Sequence, residues 1–183
     1  EKGLEPLAGI IPLQMLNTPL AAEAEKFLDA EKGVETVEDA IAGAKDIIAE
    51  SISDEADYRS RIRELTVKKG RIVSIAKDPE AESVYEMYYD FDEPVAKLAG
   101  ILALNRGENE KFLTVKIEAP VEDILRYLEK QVIRKDNPET SPVLKEVVED
   151  AYDRLIAPAI EREIRSDLTE RAEDGAIKVF GKN

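Results

Sequence analysis

The chain joins several stretches of helical hydrophobic spacing to two short stretches of strict alternation. The longest helical pattern comes last. From Ser141 onward, apolar residues fall at Leu144, Val147, Val148, Ala151, Leu155, Ala159, Ile160, Ile164, Leu168 and Ala172. Steps of three and four place these side chains in one stripe along a helix. Ser141 suits the cap, and Pro142 suits the first turn, where its missing N–H would be unpaired anyway. Unbroken from Pro142 to Asp174, this helix would be about 50 Å long. Pro158 lies inside the pattern. It removes a backbone hydrogen bond and crowds the carbonyl of Arg154, so a kink or break is expected there.

The earlier chain reads mostly as helix too. Leu4 to Met15 is a helix interrupted by Pro12. Leu20 to Ala30 is a second, with Thr18 as its cap. Thr36 caps a third, and Asp39 stands where a carboxylate can answer back in a capping box. Val37, Ala40, Ile41, Ala44, Ile47, Ile48 and Ile52 mark its buried face. A fourth helix opens at Ser53 or Asp54, turns Tyr58, Ile62 and Leu65 inward, and closes at Gly70. The period then changes. Strands are expected near 71–76 and 112–117, where β-branched residues cluster or alternate, and the two would pair as a small antiparallel ribbon. Ala81 to Asp90 is a Tyr-rich connection. Val121 to Arg134 returns to helical spacing, and Asp136 to Thr140 has linker chemistry.

These patterns predict a mainly α, multihelical scaffold with a minor β-ribbon. Residues 1–135 would form a helical domain, and 136–183 a long helical connector packing on it. If part of the connector's apolar stripe is left uncovered, a second copy of the chain could bury it as a dimer.

Composition removes several kinds of chemistry. The chain has no Cys and no His. A disulfide framework, thiolate metal sites, the commonest metal ligand and the usual general base are therefore absent. Glu146, Glu149, Asp150 and Asp153 crowd the last helix, but a di-iron arrangement needs His beside its carboxylates. Arg154, Arg162 and Arg165 can pair with these acids at helical spacing. The serines have no His to activate them. No enzyme, metal or cofactor is expected. No apolar run approaches the roughly 20 residues of a membrane span, so a cytoplasmic protein without a membrane partner is expected.

The formal charge of −14 argues against a nucleic-acid-binding surface spread over the whole protein. One basic island stands out in the acidic chain: Arg59, Arg61, Arg63, Lys68, Lys69 and Arg71. It could contact phosphate. The competing reading is a solvated helix face balanced by Asp54, Glu55 and Asp57. Asn105-Arg106-Gly107-Glu108 reads as a turn before the second strand, with Arg106 as a further candidate contact to nucleic acid. The acidic face around Glu146, Glu149 and Asp150 is the alternative, a docking surface for a basic partner.

An ordered set of strings resembles the Tex family of bacterial transcription accessory proteins. They are Gly-Leu-Glu-Pro-Leu-Ala at 3–8, Ala-Ile-Ala-Gly-Ala-Lys-Asp-Ile-Ile-Ala-Glu at 40–50, Tyr-Tyr-Asp-Phe at 88–91, Leu-Ala-Leu-Asn-Arg-Gly-Glu at 102–108 and Asp-Gly-Ala-Ile-Lys-Val-Phe-Gly-Lys-Asn at 174–183. The family usually has His-Arg directly before Leu-Ala-Leu, whereas here Gly100 is followed at once by Ile101. The resemblance implies a helical scaffold lying upstream of an RNase-H-like domain in a longer protein. It implies nucleic acid and the transcription machinery as partners of that longer protein. Binding by this segment alone would be weak or absent, because the family's nucleic-acid-binding parts lie elsewhere.

Overall fold

The computed structural model describes residues 2–181, with side chains described as far as Gly175. The string at 174–183 therefore lies partly outside the described residues. Among the described residues, eight α-helices and three strands follow one another in the order α1 (Glu5–Ile10), α2 (Leu20–Glu25), α3 (Val37–Asp54), α4 (Ala56–Lys69), β1 (Arg71–Ala76), β2 (Asp90–Pro94), α5 (Ile101–Asn109), β3 (Leu113–Glu118), α6 (Val121–Val132), α7 (Ser141–Asp150) and α8 (Ala157–Gly181). Mainly α architecture with a long C-terminal helix and a small antiparallel sheet is what the hydrophobic spacing predicts.

Two compact units share the chain. One comprises Glu1–Arg59 and Glu122–Ala157, the other Ser60–Val121 and the chain from Pro158 onward. The division passes within α4, at residues 121–122 where α6 begins, and at the start of α8.

In the first unit α3 is the centre. Its buried Ala40, Ala44 and Ala49 keep its surface low, and α1, α2 and α7 pack against it. Ile48 and Ile52 fill the space between, each contributing about 1.5–3 kcal/mol by leaving water. Thr36 Oγ1 accepts from the Asp39 N–H at 3.1 Å, as its spacing predicts. Asp39 answers back one residue earlier than expected, to the Glu35 N–H at 3.3 Å. Thr18 does not cap α2. Its hydroxyl donates to Glu23 Oε1 at 2.9 Å, which holds the Glu23 carboxyl below its usual range. The Leu20 N–H goes instead to Glu139 Oε1 at 2.6 Å. Neither Ser53 nor Asp54 opens α4: both lie in α3, and Glu55 is the break.

A polar seam closes this unit. Gln14 is buried and has φ 58°, in the left-handed region. Its side chain donates to the carbonyl of Val132 at 2.8 Å and accepts from the N–H groups of Arg134 and Lys135. Asn137 reaches back to the carbonyl of Leu16 at 3.0 Å and accepts the N–H groups of Glu139 and Thr140. Loop backbone buried here would otherwise lack partners.

The expected interruption near Pro158 takes the form of a π turn over Ala151–Ile156, between α7 and α8. Ala157 N–H bonds the carbonyl of Tyr152, five residues back. The widened turn loosens the register just before Pro158, where an α ladder would meet the proline ring. The apolar stripe is buried at Leu144, Val147, Val148, Ala151, Ile160 and Ile164. It stays half-exposed at Leu155, Ala159, Leu168 and Ala172.

In the second unit the sheet order is β2-β1-β3, antiparallel throughout. The β1–β3 pairing was expected, with Ser74 opposite Val115. Strand β2 adds a partner on the other edge of β1, with Ser74 opposite Phe91. Ile72, Ser74, Leu113 and Val115 are buried. Gly70 joins α4 to β1. A methyl group there would overlap the Thr66 carbonyl oxygen and crowd that of Glu118.

Candidate nucleic-acid interface

The basic island does not form one patch. Four residues along a helix bring side chains to the same face, and seven bring them round to a common face again. Arg59 and Arg63 therefore share one face of α4, and Arg61 and Lys68 share another. Arg71 lies beyond α4, on β1.

Much of this charge is already matched. Arg61 pairs with Glu64 at 2.9 Å, Arg63 with Glu163 at 2.6 Å, and Arg71 with Asp92 at 2.6 Å. Arg59 and Lys69 also have interaction partners. Lys68 is exposed on α4 and Arg106 on α5, and neither is in an ion pair among the described residues. Two isolated cations make a small electrostatic footprint.

A groove of about 1310 Å³ runs between α4, the turn before α5 and α8. Val67, Leu98 and Leu168 contribute apolar surface, while Lys68, Arg162 and Arg171 alternate with Glu64, Asp167 and Glu170 along its sides. A phosphate chain laid there would meet carboxylates as often as cations. Among the described residues no group of acidic side chains is placed to hold a metal ion.

Asn105-Arg106-Gly107-Glu108 is not a turn. It lies inside α5, and Gly107 is a packing glycine. An added methyl would overlap Leu113 and sit 3.2 Å from the Tyr85 ring. Asn105 and Glu108, three apart, face α8 together. Arg165 Nη2 donates to Glu108 Oε1 at 2.7 Å and Nη1 to Oε2 at 3.0 Å. Nη2 also donates to Asn105 Oδ1 at 2.9 Å. Asn105 Nδ2 donates in turn to Thr169 Oγ1 at 2.8 Å. Such a forked, charge-assisted pair fixes orientation as well as adding energy. Sequence reading missed this clamp. The available signal was a pair of matched spacings, 105/108 and 165/169, each on one helix face.

The acidic face of α7 is also partly used within the chain. Glu146 pairs with Lys45 at 2.5 Å. Arg154 lies 2.9 Å from Asp150 and 3.5 Å from Asp46. The hydrogen bond to Asp150 holds the Arg154 guanidinium above its usual range.

A clamp of Arg165 on Glu108 and Asn105 joining α8 to α5, with much of the basic island already in ion pairs, defines a helical scaffold region rather than an open cationic surface. The chain belongs to the Tex central region-like family, whose model matches residues 17–180. It is 49% identical over its full length to the uncharacterized protein YdcI of Bacillus subtilis, of which it covers 26%. It is 30% identical over 83% of its length to human S1 RNA-binding domain-containing protein 1, covering 17% of that protein. Over 78% of its length it is 25% identical to the transcription elongation factor SPT6-like of Arabidopsis thaliana, covering 12% of it. The chain thus spans about a quarter or less of the length of these relatives. Among the described residues no helix is long and apolar enough to cross a membrane.

Proposed function

We propose that this chain is a structural scaffold within a transcription accessory protein that binds nucleic acid through other parts of its length. The observation that carries the reading is the family match over residues 17–180. Relatives whose names specify RNA binding or transcription elongation support it. The internal pairing of the basic island supports a holding role over a gripping one. The chain acts without catalysis, and cytoplasmic localisation belongs to the same proposal.

The test is titration of the 183-residue chain with fluorescent single-stranded RNA and double-stranded DNA across ionic strength. The scaffold reading expects weak association that is unchanged when Lys68 and Arg106 are both replaced by Gln. Tight binding with a steep salt slope would place a real nucleic-acid site here and overturn it.

A further inference from the structure

The two most exposed large apolar side chains among the described residues lie three positions apart in one connection. Val84 is 84% exposed and Met87 73% exposed, both in the connection between β1 and β2. Ile75, 57% exposed, lies at the same end of the sheet, where β1 meets the start of β2. Single exposed apolar residues need no explanation, but a group held at one place does.

The connection is anchored rather than loose. Buried Tyr85 donates to Glu110 and stacks on Phe112 at a centroid separation of 5.8 Å. Tyr89 donates to the carbonyl of Ala81 at 2.7 Å, and the Ser83 hydroxyl lies 2.8 Å from its oxygen. Ser83 Oγ also accepts the Tyr85 N–H. Val84 and Met87 project from between these anchors, so little ordering is left to accompany binding.

The surroundings define the partner's charge. From Asp78 to Glu93 there are seven Asp and Glu and no Lys or Arg, which is half of the chain's formal −14. Exposed Glu80, Glu82 and Glu86 make no ion pair among the described residues. Nucleic acid is repelled by such a surface. A second copy meeting it face to face would set like charge against like charge.

We infer that the β1–β2 connection is a docking surface for a basic protein segment that carries apolar side chains between its Lys or Arg residues. The apolar side chains would cover Val84 and Met87, and the cations would pair with the surrounding glutamates. This inference stands apart from the scaffold reading.

Two synthetic 16-residue probe peptides of equal charge separate the terms, one alternating Lys with Leu and one alternating Lys with Ser. Binding to the full chain is read by anisotropy at low and at near-physiological salt. The Lys/Leu peptide should bind about tenfold more tightly than the Lys/Ser peptide. Replacing Val84 and Met87 by Ser, or Glu80, Glu82 and Glu86 by Gln, should each weaken it by about tenfold. Replacing Glu31, Glu35 and Glu38 by Gln changes net charge equally elsewhere, and should leave affinity within about twofold. Equal binding of the two peptides would overturn the inference. So would equal loss in both Gln variants, or wild-type affinity in the Ser variant. A dimer in sedimentation that Val84→Ser/Met87→Ser dissociates would give the surface to a second copy and also overturn it. Unfolding curves verify that the variants are folded.

Discussion

Arg165 on α8 spans both carboxylate oxygens of Glu108 on α5, at 2.7 and 3.0 Å, and holds Asn105 with the same guanidinium. The Arg165 side chain is 20% exposed, so solvent screens this pair less than an open surface pair. Glu108→Gln should keep the shape and lose the charge, destabilising the chain by about 1 kcal/mol. Arg165→Lys should not rescue it, because an ammonium cannot fork. A double-mutant cycle in urea unfolding checks the coupling.

Two glycines should answer an alanine substitution with opposite signs. At Gly70 the added methyl meets backbone carbonyls, which cannot rotate away. Gly70→Ala should destabilise by about 1–3 kcal/mol. At Gly9, inside α1, an added methyl meets nothing within 4 Å. Gly9→Ala should stabilise by about 0.5–1 kcal/mol through helix propensity. Thermal and urea unfolding measure both.

Tyr85 donates to Glu110, and that bond holds the phenol above its ordinary range, with burial acting the same way. A raised pKa means the folded state keeps its proton where the unfolded state loses it. The stability this contributes is fully present below pH of about 10 and is lost as pH rises through the folded value. Glu110→Gln should lower the Tyr85 pKa and flatten that alkaline loss. Ultraviolet titration of phenolate, with urea unfolding at several alkaline pH values, follows both effects.

Ser74 lies on the inner face of β1, 1% exposed, and its hydroxyl has no hydrogen-bond partner among the described residues. Ser74→Ala removes a buried polar atom without stranding another. It should stabilise the chain by about 1 kcal/mol, read as a raised urea midpoint with an unchanged slope. Loss of stability instead would mean that the hydroxyl serves a bond the static structure lacks.

Local signals were legible, and signals that depend on distant partners were not. Thr36 announces its own helix because its partner is three residues away. The pairing of β1 and β3 was readable because each strand carries β-branched residues. Strand β2 was not, since Asp-Phe-Asp-Glu-Pro has poor strand propensity and is a strand only because β1 lies beside it. Gly107 suggested a turn because nothing in the sequence says that Leu113 will press against that position. The basic island looked concentrated along the chain, yet helical geometry spread it and carboxylates as distant as Glu163 neutralised it. The Tex family resemblance came from ordered strings, and the family match over residues 17–180 bears it out.

The Gln14 seam has a consequence for synthesis. The side chain waits for partners 118 to 121 residues downstream. At about 5–20 residues per second, a ribosome takes roughly 6–24 s to supply them. The other unit is interleaved, since residues 60–121 need the chain from Pro158 onward. Neither unit can finish while its first part is all that has emerged. The first core therefore stays half-built until residues 122–157 are translated, and the second until the chain from Pro158 follows, so a pause before either stretch would prolong exposure to misfolding.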